Sequence, residues 1–205
     1  ARLAEPAWIR GTLTALRQTC PGACITVKLR TGLQTADEMP ALLAAAAAAE
    51  PDLVFLHYRT ADEGYRPVPR GWERLARARD CLPDTLLIGS GDLFSVRDVR
   101  SLWQRAGVDG AAPARGLLCN PWLLRQIEYA CRGRAPAPAP AAAAKLRFLL
   151  DVTRESNRPP TARNGFVVEL AKHLLDRASD AYAALLACNT VAETAAYLEK
   201  NLGIP

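Results

Sequence analysis

Four short apolar segments recur between residues 24 and 115, and stretches with helical periodicity separate them. The segments are "CITVKLR" (24–30), "DLVFLHYR" (52–59), "DTLLIGSG" (84–91) and "VDGAAPAR" (108–115). Their apolar runs are too continuous for strands with one solvated face, so the pattern predicts strands buried on both faces. Strands that alternate with helices indicate an α/β fold, in which helices cover a parallel sheet.

Capping signals mark the start of two intervening helices. Thr35 and Glu38 have capping-box spacing before "MPALLAAAAAA". Ser95 and Asp98 repeat the spacing before a helix that Gly107 should end. In such a box the N-cap hydroxyl accepts a first-turn N–H, and the carboxylate accepts the N-cap residue's own N–H. We therefore expect both helices to begin at these hydroxyl residues.

The pattern changes after residue 134. "APAPAPAAAA" (135–144) alternates alanine and proline, which favours an extended chain, so its front predicts a linker and its end the approach to a helix. No strand pattern follows. We predict an α/β part (1–134), a linker (135–144) and a small all-α helical bundle (145–205).

Two signals define the helices of the tail. The segment "TARNGFVVELAKHLLDR" (161–177) has one apolar stripe, and "DAYAALLAC" (180–188) follows it. Thr190 and Glu193 have capping-box spacing before a helix that Gly203 should end. Helices with single apolar stripes must pack, so we expect them to form a bundle against the α/β part.

Composition narrows the function classes. The chain has 205 residues and is 50% apolar, enough to bury a core, but contains no apolar run of the roughly 20 residues that span a bilayer. The first ten residues do not have the pattern of a secretory signal, and the lack of an initiator Met indicates a missing start. The six cysteines form no CxxC pair, which predicts reduced thiols and no metal site. We expect a soluble, cytoplasmic protein.

The charge balance is mildly basic. The net charge is +5 and the pI is about 9.0, which suits a polyanionic partner. The positive residues form no block, however, and are spread as on solvated helix faces. Charge alone is therefore weak evidence for nucleic-acid binding.

Polar residues lie at the ends of all four predicted strands. In chain order they are Lys28 and Arg30, His57 and Arg59, Ser90-Gly91-Asp92, and Ala114-Arg115-Gly116. The carboxyl ends of parallel strands meet at one rim, where α/β folds bind ligands. Glycine turns let backbone N–H groups point at an anion, and an arginine adds a bidentate contact. The pattern predicts a site for a phosphate-bearing ligand.

Each of these residues also has a purely structural interpretation. A lysine within an apolar strand favours function, because a buried ammonium without a partner is costly, and we apply this to Lys28. His57 alone fits a ligand contact or a core histidine equally well. Gly89 and Gly91 alone more often mark an ordinary turn. The four strand ends together are stronger evidence than any one of them.

Taken in order, four motifs resemble the second half of the flavin-dependent tRNA-dihydrouridine synthases. They are "ITVKLRTG", "VFLHYRTADEGYRPVPRGWERL", "LIGSGDLFS" and "GVDGAAPARGLLCNPWLL". The family pattern is V-K-x-R, H-x-R-T followed by G-Y and a Trp, N-G-D/E, and G-R-G followed by N-P. The resemblance covers residues 24–130 and is greatest to the bacterial subgroup that modifies position sixteen of the D-loop.

The resemblance implies the second half of a TIM (β/α)8 barrel that binds FMN, followed by a helical domain that binds tRNA. Such enzymes use NADPH to reduce the flavin, and the flavin reduces a uridine to 5,6-dihydrouridine. By position in the motifs, the FMN-binding residues are Lys28, His57, Ser90, Gly91, Asp92, Ala114 and Arg115. The candidates for tRNA contact are Arg59, Arg66, Arg163 and Lys172.

The chain departs from the family pattern in several places. Ser90 replaces the usual Asn, Ala114 replaces the first Gly of G-R-G, and Pro113 falls within a predicted strand. The family's first four strands and its acid cysteine, in a G-C-P turn, have no counterpart here. We therefore expect no catalytic residue in this chain, no turnover by it alone, and self-association through the open edges of a half-barrel.

Two other functions stay open at this stage. The first is a non-catalytic α/β and helical module that binds tRNA or a partner. The second is another FMN-binding barrel oxidoreductase, such as a relative of dihydropyrimidine or dihydroorotate dehydrogenases. The H-x-R-T motif, the G-Y and Trp run, the helical tail and the basic balance argue against the second.

Overall fold

The structure, a computed structural model, describes residues 5–135, 137 and 139–204. It has an α/β architecture whose four strands form a parallel sheet in the order β1-β2-β3-β4. The chain divides into two compact units, one up to Gly116 and one from Leu117. The predicted division at residues 134 and 144 stays a prediction, and Pro136 and Pro138 of the predicted linker lie outside the described residues.

Strands and helices alternate through the first unit. Its strands are β1 (Thr26–Arg30), β2 (Leu53–His57), β3 (Leu86–Ser90) and β4 (Gly110–Ala112). Its helices are α1 (Pro6–Thr19), α2 (Met39–Ala47) after a 3-10 turn (Ala36–Glu38), α3 (Gly71–Cys81) and α4 (Val96–Ala106), and α5 (Ala114–Cys119) begins at its end. The predicted alternation and the parallel sheet are therefore present.

The fourth strand is shorter than its apolar segment. It ends at Ala112, so Pro113 lies just outside the ladder and the prediction that it occupies a strand is wrong. The missing N–H of Pro113 thus costs no ladder hydrogen bond. Ala114 and Arg115 begin α5 and do not end a strand.

The capping signals act as predicted. The Ser95 hydroxyl accepts the Asp98 N–H at 3.2 Å, and Gly107 ends α4 with a φ of 58°. The Glu38 carboxylate accepts the Thr35 N–H at 2.8 Å, although the first turn there is 3-10 and α2 follows it. Local hydrogen bonds between residues three apart explain why these starts are readable from sequence.

Helices cover one face of the sheet. A Cβ on Gly89 would lie 3.1 Å from both Leu75 of α3 and Leu102 of α4, which pack directly over that strand. Leu87, on the same face, is fully buried. On the opposite face Leu86 is 52% exposed and Lys28 is exposed. The prediction that the strands are buried on both faces is therefore wrong for the described part of the chain.

The sheet has two edge strands, β1 and β4. Each pairs with one neighbour among the described residues, so one side of each backbone is unpaired there. Such edges favour pairing with another strand. Self-association through them stays a prediction.

The second unit is helical. Its helices are α6 (Leu123–Cys131), α7 (Ala142–Glu155), α8 (Gly165–Leu174), α9 (Asp180–Ala187) and α10 (Val191–Leu202). The predicted stripe of α8 supplies Val167, Ala171 and Leu174 to a core that also contains buried leucines of α7, α9 and α10. Thr190 caps α10 by accepting the Glu193 N–H at 3.2 Å. The apolar stripes therefore pack against one another.

No helix in the described part of the chain is both long and apolar enough to cross a membrane. Within the same residues all six cysteines are free thiols, and no group of three or more His, Cys, Asp or Glu side chains is placed to hold a metal ion.

Candidate functional site

The register of the sheet aligns one residue of each strand at its carboxyl end. Arg30 pairs with His57, His57 with Ser90, and Ser90 with Ala112. Because residues in register point to the same face of a sheet, these side chains share the face that the helices leave uncovered. Lys28 lies two residues before Arg30 and therefore on the same face.

A pocket of about 200 Å³ opens above this row. Its lining includes all seven residues that the sequence predicts to bind the cofactor: Lys28, His57, Ser90, Gly91, Asp92, Ala114 and Arg115. Arg30, Tyr65 and Phe94 also line it. The carboxyl ends of all four strands thus contribute to one cavity, which is the arrangement that the parallel sheet predicts.

Asp92 is the centre of the polar network at this pocket. Its carboxylate accepts two hydrogen bonds from Arg59, at 2.7 and 3.0 Å, one from Arg115 at 2.5 Å, and one from the Tyr58 hydroxyl. Burial opposes its ionisation, but the hydrogen bonds from Arg59 and Tyr58 outweigh burial and lower the pKa of Asp92. Asp92 is therefore an anion that orients Arg115, and it does not itself face a phosphate favourably.

The loop after β3 needs glycine at position 91. Gly91 has a φ of 126°, and a Cβ there would overlap the ring of Tyr58. Asp92 follows with a φ of 49°, and the Trp72 indole donates to the Gly91 carbonyl at 3.1 Å. The glycine thus lets the chain turn over a buried tyrosine, so that the next carboxylate reaches Arg115.

Arg115 is held on three sides. Its guanidinium lies 4.7 Å from the ring centre of Tyr65 and 5.5 Å from that of Phe94, in addition to the Asp92 ion pair. Tyr65 is 72% and Phe94 is 42% exposed, so both rings border solvent at the mouth of the pocket. Stacked rings and one ion pair fix the orientation of the guanidinium, and its remaining N–H groups stay available to an anion.

His57 is a neutral residue in this site. Burial is the largest cause that lowers its pKa, and the charges of Arg30, Arg59 and Lys28 lower it further, to about 4. Its Nδ1 accepts the Arg59 backbone N–H at 3.2 Å. One nitrogen of His57 thus stabilises the loop while the ring lines the pocket, and a ligand contact by His57 stays a prediction.

Lys28 and Ser90 differ from their sequence-based descriptions. Lys28 is exposed and not buried. It lies on the edge strand β1, on the sheet face that the helices leave uncovered in the described residues. It makes no hydrogen bond or ion pair with any of them, so its charge is free for a ligand. Ser90 is buried, and its hydroxyl donates to the Ala112 carbonyl at 3.1 Å. Ser90 thus joins β3 to β4.

The four candidates for RNA contact lie in different environments. Arg59 is 1% exposed and fully engaged by Asp92 and the Arg66 carbonyl, so it is placed as an internal support and not as a surface contact. Arg66 is exposed and donates to carbonyls of its own loop. In the second unit, Arg163 is exposed and Lys172 pairs with Glu169 at 2.8 Å. The RNA assignments stay predictions.

Several residues of the site were not singled out from sequence. Tyr58, Tyr65, Phe94 and Trp72 lie beside or within the network. Arg30, which the sequence places at the end of the first strand, lines the pocket and donates to the Thr60 carbonyl. Three of the aromatic residues fall inside the motif run from His57 onwards, which was the available signal. Their partners are distant in sequence, so a local pattern does not show which of them face the pocket.

Comparison with known proteins decides the family. The family model described as dihydrouridine synthase (Dus) matches residues 1–197. The chain belongs to the dihydrouridine synthase family. The resemblance inferred from the strand-end motifs is therefore confirmed.

Among curated proteins, the tRNA-dihydrouridine(16) synthase of Neisseria meningitidis is 36% identical over 129 residues, which is 62% of this chain and 38% of that protein. The tRNA-dihydrouridine(16) synthase of Aquipseudomonas alcaligenes is 30% identical over 135 residues, 65% of this chain and 42% of that one. A probable tRNA-dihydrouridine synthase of Mycobacterium tuberculosis is 33% identical over 110 residues, 53% of this chain and 28% of that protein. The matched region thus spans about two fifths of the dihydrouridine(16) synthases, the subgroup that the motifs resemble.

Proposed function

We propose that this chain is the FMN-phosphate-binding and RNA-facing part of a flavin-dependent tRNA-dihydrouridine synthase, an NADPH-driven oxidoreductase that acts on a D-loop uridine. The observation that supports this most is the convergence of all seven predicted cofactor residues on one pocket at the carboxyl ends of the strands. Family membership makes this the first function to test.

The pocket fits the phosphate end of such a cofactor. Arg115 offers free guanidinium N–H groups in a fixed orientation, and Ala114 and Gly116 line the same cavity beside it. About 200 Å³ is less than the roughly 300–1,000 Å³ of a complete small-molecule site, which agrees with a cavity that takes the phosphate end and only part of the ring system. In this proposal Asp92 holds Arg115 in place and does not contact the phosphate.

Lys28 and His57 lie at the other side of the cavity. When bound, FMN would take a hydride from NADPH and would supply it to the uracil ring. The unpaired ammonium of Lys28 stabilises negative charge on a ring held against the strand row. His57, neutral at physiological pH, offers a hydrogen bond without adding charge. We assign the acid step to a cysteine outside this chain.

The four-stranded sheet is proposed to form the second half of a TIM barrel. The uncovered sheet face and the edges of β1 and β4 are the surfaces that a second set of four strands would cover. In this proposal Arg66, Arg163 and Lys172 contact tRNA phosphates. Arg59 is excluded from that role because it is buried.

The test is a titration of FMN into the 205-residue chain, followed by flavin fluorescence, with Arg115→Ala as the variant. Arg115→Ala should weaken binding about 10- to 100-fold, since a hydrogen bond to a charged group contributes about 1.5–3 kcal/mol. The matched control is Arg10→Ala, which deletes an exposed arginine of α1 that has no partner among the described residues. The control should bind like the unmodified chain.

Equal loss in both variants would attribute the effect to net charge and refute the phosphate site. Unchanged FMN binding in Arg115→Ala would also refute the phosphate site. If the unmodified chain binds tRNA but no FMN in any titration, the non-catalytic RNA-binding module becomes the better description.

A further inference from the structure

An ion pair between Glu63 and Arg74 connects the loop after β2 to the start of α3. The Arg74 guanidinium donates to both oxygens of the Glu63 carboxylate, at 2.7 and 2.9 Å. It also donates to the Tyr58 carbonyl at 3.1 Å. The Arg74 and Glu63 side chains are 22% and 23% exposed, respectively. A two-point contact between a guanidinium and a carboxylate fixes the orientation of both groups, so this pair ties the loop to the helix.

The Glu63 carboxylate also fixes the backbone of its own loop. It accepts the Thr60 N–H at 2.8 Å, and the Thr60 hydroxyl accepts the Glu63 N–H at 3.3 Å. The hydrogen bonds from Arg74 are the largest cause that lowers the pKa of Glu63, to about 2, so the carboxylate is charged at neutral pH. Side-chain and backbone donors thus meet at one anion, and the loop folds around it.

Residues on either side of Glu63 connect the loop to the candidate pocket. The Thr60 carbonyl accepts the Arg30 guanidinium at 2.7 Å, and Arg30 lines the cavity. Tyr65, two residues after Glu63, also lines it. Neither Glu63 nor Arg74 belongs to the cavity lining in the described part of the chain. The pair can therefore affect a ligand there only through its neighbours.

The backbone of the loop sets the position of the Tyr65 ring. Tyr65 is 72% exposed, yet its ring centre lies 4.7 Å from the Arg115 guanidinium. On one side of the tyrosine, the Glu63 carbonyl accepts the Arg66 N–H at 2.9 Å. The Arg66 carbonyl in turn accepts the Arg59 Nε–H at 2.7 Å. Because little packing holds so exposed a ring, its place beside Arg115 depends on the loop, and the loop depends on the ion pair.

We propose that Glu63 and Arg74 are positioning residues that hold the loop between β2 and α3 in its binding arrangement before a ligand arrives. The ligand is the one assigned to the candidate pocket, and its identification as FMN rests on the proposed function. With the pair intact, Arg30 and Tyr65 are already in place, and the ligand binds without ordering the loop. Without the pair, only the molecules with an ordered loop can bind, and the apparent affinity falls in proportion to their fraction.

The first test needs no ligand. Amide hydrogen exchange of Arg74→Ala should be about 10- to 100-fold faster than in the unmodified chain across residues 58–66, as expected for the loss of hydrogen bonds between charged groups. Residues 86–90 of β3 should keep their exchange rates, because the substitution opens the loop and not the sheet. The matched control is Arg77→Ala, which removes an exposed arginine of the same helix whose ion-pair contact with Asp37 is 3.9 Å long. The control should exchange like the unmodified chain.

Unchanged exchange in the loop of Arg74→Ala would overturn the inference. An equal increase in the loop and in β3 would also overturn it, because it would show a general loss of stability. These data are recorded without flavin, so they decide whether the pair holds the loop even if the unmodified chain binds no FMN.

The second test measures FMN affinity. Arg74→Ala should weaken binding about 3- to 10-fold, as expected when roughly 10–30% of the molecules have an ordered loop, and Arg77→Ala should bind like the unmodified chain. A double-mutant cycle then separates positioning from general destabilisation. In the Tyr65→Ala background, which lacks the ring that the loop presents, Arg74→Ala should weaken binding by a clearly smaller factor.

An equal factor in both backgrounds would refute the coupling of the ion pair to the pocket through Tyr65. Unchanged FMN affinity in Arg74→Ala, together with faster exchange in the loop, would refute the claim that the order of the loop serves binding.

Discussion

The two ends of the parallel sheet use aspartate and arginine in contrasting ways. At the amino ends, Asp109 accepts the Leu87 N–H and the Arg79 guanidinium, both at 2.7 Å. Asp52 repeats this with the Ile25 N–H at 2.7 Å and Arg17 at 2.9 Å. At the carboxyl ends, Asp92 accepts only side-chain donors, from Tyr58, Arg59 and Arg115.

The difference lies in what remains free. At the amino ends Arg79 uses its other terminal nitrogen on the Thr85 carbonyl, so both of its terminal nitrogens bond within the protein. At the carboxyl ends Arg115 is held by one nitrogen, while Lys28 and the Nε2 of His57 have no partner among the described residues. One end thus ties strands together, and the other leaves oriented donors unpaired among the described residues, where the proposed function places the ligand.

The largest loss of stability should follow removal of the Asp92 carboxylate at the carboxyl end of the sheet. Asp92→Ala leaves Arg59, whose side chain is 2% exposed, as a buried charge that keeps the Arg66 carbonyl as an acceptor but has lost its ion-pair partner. We expect the free energy of unfolding to fall by about 3–5 kcal/mol in chemical denaturation, and FMN binding to be lost because Arg115 is released. Asp84→Ala, at an exposed residue of the loop before β3, is the control and should change stability by less than about 0.5 kcal/mol.

A loss in Asp92→Ala as small as in the control would show that Arg59 finds another partner. The description of Asp92 as the centre of the polar network would then be wrong, and the contrast between the amino and carboxyl ends of the sheet would weaken.

A smaller effect should follow the matching change at the amino end. Asp109→Ala removes the acceptor of the Leu87 backbone N–H and the partner of Arg79. We expect a loss of about 1–3 kcal/mol in the free energy of unfolding, the cost of an unsatisfied donor, with FMN affinity unchanged once the protein is folded. Reduced affinity in the folded variant would contradict the separation of the two ends.

The smallest effect concerns acid stability. The native pKa of His57 is about 4 and its ordinary value is 6.5, so between these values the unfolded chain binds a proton that the native chain does not. Stability should therefore fall as pH decreases through that window, and because solvent screens this half-buried ring, the loss from this residue between pH 7 and pH 5.5 should stay below about 1 kcal/mol. His57→Gln should lose this part of the slope in denaturation curves recorded across the window. An unchanged slope would show that the native ring also takes up a proton.

Much of the local structure was predictable because short-range chemistry determines it. The hydroxyl and acid pairs at Ser95 and Thr190 start helices through bonds between residues three apart. Gly107 and Gly203 end helices in left-handed conformations that disfavour other residues. Strand positions followed from apolar runs, although β4 ended before Pro113.

The sequence predicted which residues lie at the carboxyl ends of the strands, but not what each of them does there. Of the ten residues that the sequence places at strand ends, nine line the pocket, because parallel strands bring their carboxyl ends together. Which of them point at a ligand was not predictable. Arg59 was expected at the surface and is buried, whereas Lys28 was expected in a buried strand and is exposed.

Sequence patterns were enough to predict the α/β class, the helix caps and the strand ends that carry the candidate residues, and the motifs indicated the dihydrouridine synthase family. The three-dimensional arrangement was needed to show that Asp92 orients Arg115, that Arg59 is internal, and that Nδ1 of His57 accepts a backbone N–H. The reason is physical. Caps and strands depend on neighbours a few residues away, whereas burial and ion pairing depend on groups more than 20 residues apart, such as Arg115 and Asp92, that meet only after the sheet has formed.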